Sequence, residues 1–586
     1  MSKNGHFITM LHLFSSDIKK DSLYVMLGIL VLIHGALAIY GNAWGGPFTL
    51  NIDEDVLTVL KMFRSKSIFT GDTYHPSFYR YVLSFFFSFY FLFLKITGFD
   101  FSLLKNISSW AEFVQQFPIL ASQIYIVARC VSAFWGCMTI IVVFFLGMAL
   151  RNTTVGILAA CILSITQGFV AVNHFAKTTA LVNFLGILFV YLCVLAIQNH
   201  KFKWLNWAAL VSGLALATKF NAGLLIVPLA LTFMILLWHF KKDWEKVCVL
   251  QGMGVCAIYL LGICLGWPDF FMYIDLQYTL NFYGDFFYKT EHIISFWIGL
   301  LNYGIQLLII FGVPFGGIVL YSIFYNIKDL FFYFSWPWLI VYVVITLNLI
   351  FVGSLQMDIA YTKFIIFIVP LLAISAADVL DKIRKLFPIQ WCFWVCLCLF
   401  YGYSAFYCLE VDSQFLKRDI RYNVTHWILN HVPQGSSVGH FQQYAWLYQP
   451  HKLLHYYQMH YFDKEYQNDP DNFFDLVGGI KAEQFFKKLN DTRKGPEYLL
   501  FFSDFIDYES RYNKLDSIPG QTERKKFIFH LLKNSTHYVL IKKFIADNYK
   551  IPSKRIPGLS YPRYFWHSPV YDAYIPTVIF IFKKRT

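Results

Sequence analysis

Long apolar runs separated by short polar stretches fill the first 408 residues of the chain. A helix that crosses the hydrocarbon core of a bilayer needs about 20 mainly apolar residues. By this measure we predict an α-helical polytopic membrane domain, residues 1–408, with about eleven transmembrane helices. The qualifying runs are residues 22–41, 124–150, 155–172, 179–197, 204–218, 222–239, 247–266, 300–325, 331–352, 364–380 and 390–408.

One further apolar segment, residues 79–97, is short and rich in aromatic side chains. Basic residues normally mark cytoplasmic loops, and here they cluster at residues 19–20, 200–203, 241–246 and 382–385. All four clusters face the cytoplasm only if residues 79–97 do not span the membrane. We therefore predict a re-entrant or interfacial helix within a first outer loop, residues 42–123. The N-terminus is then cytoplasmic and the C-terminus is outside.

The pattern changes in the tail, residues 409–586, where apolar runs become short and polar residues more frequent. Residues 437–439, 498–502 and 538–541 are typical of short buried strands lying between helices. This pattern predicts a second, water-facing α/β domain outside the membrane.

Composition agrees with a membrane protein, because 57% of the residues are hydrophobic, 20% are aromatic and only 15% are charged. A soluble domain normally carries about 25% charged residues. The net charge of +13 is compatible with nucleic acid or with a membrane surface as partner. The basic residues lie largely in short loops between apolar runs, which favours the membrane, and we expect no nucleic-acid partner.

Acidic residues open the first outer loop, where Asp53, Glu54 and Asp55 directly follow the first apolar run. They form either an ordinary solvated loop or an acidic site that acts as a general base or metal ligand. His75 precedes Pro76 further along the same loop and is either part of a turn or a substrate contact.

Four basic residues interrupt apolar stretches near the predicted outer face, namely Arg129, Lys177, Lys219 and Lys363. Each side chain can reach the interface simply by extending along its apolar stem. Together they would instead form a positive ring suited to a lipid phosphate or pyrophosphate.

Several short motifs occur along the chain in a fixed order, namely Asp53-Glu54, residues 75–79, residues 128–132, His174-Phe175, residues 213–223 and residues 361–364. This order resembles the membrane glycosyltransferases of the GT-C fold, above all the protein O-mannosyltransferase and lipid A aminoarabinose transferase group. The resemblance covers about residues 20–408, and the tail resembles the outer domain that many bacterial members carry.

The resemblance implies a polyprenyl-phosphate-linked sugar as donor and an acceptor hydroxyl on a lipid, glycan or protein. Asp53 would be the catalytic base, and Glu54 would orient the site or bind a metal. A single displacement at the sugar predicts inversion. No cofactor is assigned beyond a divalent metal, which stays open. The residues that would bind the donor phosphate or substrate are His75, Arg129, Lys177, Lys219, Tyr361 and Lys363.

A second catalytic carboxylate, where relatives carry one after the His-Phe motif, would come here from Asp269 or Asp358. Two other classes of function stay open, a transporter or flippase of lipid-linked sugars and a non-catalytic membrane scaffold. Transporters usually carry polar residues at mid-membrane and inverted repeats, whereas the charges here gather near the outer surface. The expected location is a bacterial inner membrane with the tail in the periplasm.

Overall fold

Helices make up most of the part of the chain that the computed structural model describes. That part comprises residues 20–43, 54–67, 76–104, 107, 110–239, 244–268, 303–304, 306–332, 335–354, 365–416, 420–440, 458–461, 497–503, 538–545 and 578–585. Its helices, in chain order, are α1 (Lys20–Ile39), α2 (Val56–Ser65), α3 (Phe78–Ile96), α4 (Trp110–Gln116), α5 (Pro118–Leu150), α6 (Thr153–Ser164), α7 (Gln167–Asn173), α8 (Thr178–Asn199), α9 (Phe202–Leu216), α10 (Ile226–His239), α11 (Trp244–Gly266), α12 (Val313–Phe332), α13 (Trp336–Ser354), α14 (Val369–Leu386), α15 (Gln390–Asp412) and α16 (Ile420–His431).

Within these described ranges, seven helices are long and apolar enough to cross a membrane, and α6 with α7 would form an eighth, broken span. The prediction of a helical integral membrane protein is confirmed. The total of eleven spans stays a prediction, because several of the apolar runs are described only in part.

Helix α3 corresponds to the segment at residues 79–97 and is a continuous helix of 19 residues. Its length and composition are those of a membrane span. Its placement as a re-entrant or interfacial helix therefore stays a prediction that rests on the distribution of basic residues.

Helix α5 is the longest described helix, with 33 residues and a length of about 50 Å at a rise of 1.5 Å per residue. It packs against α1, α6 and α8. Gly147 allows close approach to α6, because a Cβ atom there would lie 2.9 Å from the Cα of Gly156. The long helix thereby ties together the part of the bundle that carries the candidate site.

Helices α6 and α7 together replace the single run expected at residues 155–172, and their axes differ by 63°. All seven residues of α7 are buried. A break in a membrane helix leaves backbone groups without partners, so it is tolerated only where protein surrounds it. The break directs the end of α7 toward the end of α1, as described below.

A cluster of charged side chains closes the far end of α5. The Asp378 carboxylate forms ion pairs with Arg151, whose Nε lies 2.9 Å from Oδ1, and with Lys382, whose Nζ lies 3.0 Å from Oδ2. Asp381 accepts from Lys385 at 2.7 Å and from the side-chain amide of Asn152 at 3.1 Å. The end of α5 lies about 32 Å from Arg129 by helical rise, which is close to the thickness of a bilayer core.

The tail contains a five-stranded sheet in the order β2-β1-β3-β5-β4. Its strands are β1 (Ser437–His440), β2 (Gln458–Tyr461), β3 (Tyr498–Ser503), β4 (Tyr538–Ile545) and β5 (Val578–Lys584). Strand β1 pairs in parallel with β2 and β3, whereas β5 runs antiparallel to both β3 and β4.

Helix α16 covers this sheet with its apolar stripe. Val424 and Ile428 of the helix belong to the same buried cluster as Val438, Leu500 and Ile581 of the strands. A helix packed on a mixed sheet confirms the small α/β domain expected at this end of the chain.

Candidate functional site

Glu54 and Arg129 form a buried, two-pronged ion pair, which we call the Glu54 clamp. Arg129 Nε donates to Oε1 at 2.8 Å, and Nη2 donates to Oε2 at 2.9 Å. The exposed side-chain fractions are 2% for Arg129 and 0% for Glu54. The backbone N–H of Ala176 also donates to Oε1, at 3.0 Å. Paired hydrogen bonds of this kind fix the orientation of both planar groups.

Asn42, just beyond α1, ties the clamp to two other elements. Its carbonyl oxygen accepts from Arg129 Nη1 at 2.8 Å. Its side-chain Oδ1 lies 3.3 Å from Nδ1 of His174, in the turn after α7. The end of α1, the first half of α5 and the turn at residues 173–177 therefore meet at one point.

Asp55 extends the contacts from the clamp to α3. Its backbone N–H donates to the carbonyl of Ala176 at 3.2 Å. Its Oδ1 accepts from Arg80 Nε at 2.8 Å. The Asp55 side chain is 13% exposed. In addition, the hydroxyl of Tyr79 lies 3.0 Å from that of Ser132 on α5. These two bonds hold the first turn of α3 against Asp55 and against α5.

Lys177 and Lys219 lie on two further turns near these elements. Lys177 directly follows Ala176 and is buried, with Nζ 5.4 Å from the centre of the Phe175 ring. Lys219 is half-buried and precedes the short 3-10 helix at Phe220–Leu225. Its turn is attached to the start of α3, because the N–H of Phe78 donates to the carbonyl of Ala217 at 2.9 Å.

The structure thus joins Glu54 and Arg129 directly, places Lys177 next to Ala176, and links the Lys219 turn to the clamp through α3 and Asp55. The remaining site predictions concern Asp53, His75, Tyr361 and Lys363, with Asp269 and Asp358 as alternative carboxylates, and all lie outside the described residues. Their roles stay predictions.

Three contributors to this geometry were not predicted as site residues, namely Asn42, Arg80 and the backbone of Ala176. Arg80 carried a usable signal, because it is a single cation at the start of a segment of mainly aromatic and aliphatic residues. Asn42 follows the first apolar run at the place where a helix end needs hydrogen-bond partners. The contact from Ala176 uses its backbone N–H, so the type of its side chain gave no indication of it.

Metal binding by Glu54 would compete with the contacts described. Both carboxylate oxygens already accept hydrogen bonds, and Oε1 accepts from Arg129 and Ala176 together. In the described portion of the chain, no three His, Cys, Asp or Glu side chains stand close enough to hold a metal ion. The geometry fits the alternative in which Glu54 orients the site, and metal dependence stays a prediction.

Comparison with known proteins gives a family match over part of the chain and a similar fold over most of it. Residues 115–263 match the family described as dolichyl-phosphate-mannose-protein mannosyltransferase. This stretch contains Arg129, Ala176, Lys177 and Lys219. Among curated proteins, none matches the chain.

Two solved structures resemble the chain over most of its length. The oligosaccharyltransferase of Archaeoglobus fulgidus, in the apo form, has a TM-score of 0.50 at 13% identity and covers 97% of this chain and 89% of its own. ArnT from Cupriavidus metallidurans, bound to undecaprenyl phosphate, has a TM-score of 0.44 at 13% identity and covers 85% and 95%. At these identities the likeness concerns the fold, and it rests on the first structure.

Proposed function

We propose that this chain is a membrane glycosyltransferase of the GT-C type that transfers a sugar from a polyprenyl-phosphate-linked donor to an acceptor hydroxyl. Two findings support this: residues 115–263 match a mannosyltransferase family, and the fold is similar to that of an oligosaccharyltransferase. The name of the matched family contains a donor of this class. The acceptor would be a lipid, a glycan or a protein. The reaction takes place at the outer face of the membrane.

The observation that carries this proposal is the Glu54 clamp. Asp53 directly precedes Glu54 in the chain, and the carboxylate of Glu54 is held by Arg129 and by the N–H of Ala176. Burying an ion pair is costly, and both charges here are almost fully removed from solvent. Such a rigid pair is suited to hold a neighbouring reactive carboxylate in place.

Asp53 serves as the general base in this proposal. It takes the proton of the acceptor hydroxyl while that oxygen attacks the anomeric carbon of the donor sugar. The bond from the anomeric carbon to the phosphate oxygen breaks, and the electron pair leaves with the lipid phosphate. A single displacement through an oxocarbenium-like transition state inverts the configuration at that carbon.

Cations stabilise the charge that develops on the leaving phosphate. We assign this role to Lys177, Lys219 and Lys363, with His75 and Tyr361 as further donor contacts. Arg129 acts through Glu54 instead, because three of its nitrogen atoms already donate to Glu54 and Asn42.

The test is a transfer assay with the purified full chain in liposomes. A panel of polyprenyl-phosphate sugars would be supplied with lipid, glycan and peptide acceptors, and the product linkage would be determined by NMR. We expect a product whose anomeric configuration is opposite to that of the donor. Retained configuration would contradict the single displacement, and no transfer from any donor would refute the proposed function.

The same proposal requires Glu54 and the tail to share the outer side of the membrane, in a bacterial inner membrane with the tail in the periplasm. A reporter that is active only in the periplasm, fused after residue 409, is expected to be active. A fusion after residue 200, in a predicted cytoplasmic loop, is the matched control and is expected to be inactive. The opposite pattern with stable expression of both fusions would reverse the orientation.

A further inference from the structure

His34 is a fully buried histidine of α1 that lies beside the break between α6 and α7. Its Nδ1 is 3.2 Å from the carbonyl oxygen of Ser164, the last residue of α6. Its Nε2 is 3.1 Å from the side-chain amide nitrogen of Asn173, the last residue of α7. One imidazole therefore connects the residue before the break with the far end of the short helix that follows it.

The chemistry of the two partners determines where the proton sits on this ring. A carbonyl oxygen only accepts, so Nδ1 carries the hydrogen and donates it to Ser164. Nε2 is then an acceptor, which matches the N–H of the Asn173 amide. Both ring nitrogens are satisfied by the neutral imidazole, with no charge left in the protein interior.

The neighbouring helix is shaped to this pair. Gly136 of α5 faces both side chains, and a Cβ atom there would lie 2.6 Å from Nε2 of His34. On another side, the ring of Phe169 from α7 lies with its centre 5.2 Å from that of His34. The imidazole therefore has little room to move, and it holds α7 at a fixed distance from α1 and α5.

Helix α7 leads straight into the turn that completes the Glu54 clamp. Asn173 begins this turn, His174 contacts Asn42, and Ala176 donates its N–H to Glu54 and accepts from the N–H of Asp55. A shift of Asn173 therefore moves the backbone groups that hold the acidic motif. Lys177 follows in the same turn.

We propose that His34 is a positioning residue for the transfer reaction: through Asn173 it sets the turn at residues 173–177 against Glu54 and Asp55. This inference rests on the proposed function for its catalytic consequence. Its structural consequence, the fixed position of the turn, is independent of any activity.

Two variants remove the contact between His34 and Asn173, one from each residue, and each replacement side chain is close in size to the original. His34→Phe loses both hydrogen bonds of the imidazole, and Asn173→Leu loses the bond from the amide. His34→Gln keeps one donor and one acceptor, as the neutral ring does. Asn348→Leu is the matched control, because this buried asparagine of α13 has, among the described residues, its one side-chain hydrogen bond to the carbonyl of Val344 in its own helix.

The first readout is hydrogen exchange of the backbone amides at residues 173–177 in the full chain, reconstituted in lipid nanodiscs. We expect exchange about tenfold faster or more in His34→Phe and Asn173→Leu, because the turn opens more often once α7 is released. His34→Gln is expected to restore much of the protection. Asn348→Leu should exchange like the wild type at these residues.

The second readout is the transfer assay. We expect kcat to fall by about 10- to 100-fold in His34→Phe and Asn173→Leu, with little change in the KM for the donor, because misplaced groups slow the reaction itself. Recovery in His34→Gln separates positioning from a general loss of packing.

Unchanged exchange at residues 173–177 in either folded variant would overturn the inference, whatever the activity. A loss of kcat as large in Asn348→Leu as in His34→Phe would also overturn it. If the wild type transfers no sugar, the proposed function fails, and the exchange experiment still decides whether His34 positions the turn.

Discussion

Asp53→Asn is expected to lower kcat for sugar transfer by about 10²- to 10⁴-fold, the usual contribution of a general base. An amide does not take up the proton of the acceptor hydroxyl, so the attacking oxygen stays a weak nucleophile. Binding of the donor phosphate is expected to persist, because that contact uses cations elsewhere. Single-turnover transfer together with donor binding, measured on the purified variant, distinguishes the two steps.

Asp100→Asn is the matched control for this variant. Asp100 belongs to the same predicted outer loop, is exposed, and bonds through both carboxylate oxygens to the nearby Ser102. We expect its transfer rate to equal that of the wild type. If Asp53→Asn also transferred sugar at the wild-type rate, Asp53 would not be the base.

Arg129→Met is expected to destabilise the protein by about 3–5 kcal/mol, the typical cost of leaving one partner of a buried ion pair without its counter-charge. Of its hydrogen bonds with described residues, the Glu54 carboxylate would then keep the one from the Ala176 N–H. The double variant Glu54→Gln with Arg129→Met removes both charges, so we expect it to recover part of the loss. The free energy of unfolding in mixed micelles would be measured for the wild type, the two single variants and the double variant. This double-mutant cycle gives the coupling energy between Glu54 and Arg129.

Arg151→Met provides the comparison at the other end of α5. Its side chain is 40% exposed, and its partner Asp378 keeps a second cation, Lys382. We expect a loss of about 1 kcal/mol or less, as for other partly exposed pairs. Equal losses of unfolding free energy in the two arginine variants would show that the Glu54 clamp stabilises the protein no more than the Arg151 ion pair does.

Hydrophobic pattern alone predicted much of the fold, because lipid imposes length and apolarity on each span. The run at residues 390–408 became α15, and the strands expected near residues 498 and 538 became β3 and β4. The pattern did not predict the 63° break between α6 and α7, since the run at residues 155–172 is mainly apolar on both sides of the break. It also gave one unbroken run at residues 300–325, whereas Gly312 separates the helical residues 306–311 from α12, which begins at Val313.

The candidate site was predictable as a set of residue types but not as a geometry. Charges beside or within apolar runs indicated Glu54, Arg129 and Lys177, because a charge next to lipid is costly unless it has a partner or a function. Which charge pairs with which was not predictable, since Glu54 and Arg129 are 75 residues apart in the chain. The backbone N–H of Ala176 reaches Glu54 because of the path that the chain takes through the turn, and the identity of residue 176 does not predict that path.

The buried helix α7 also constrains how the molecule is made. A segment of seven residues is too short to partition into lipid by itself. Its neighbours include His34, made earlier by the ribosome, and α15, which packs against α7 and is made more than two hundred residues later. The hydroxyl of Tyr401 in α15 also lies 3.4 Å from that of Ser164, at the end of α6. During synthesis α7 therefore stays incompletely buried, in contact with the first helices or the insertion machinery, until α15 is made and covers the break.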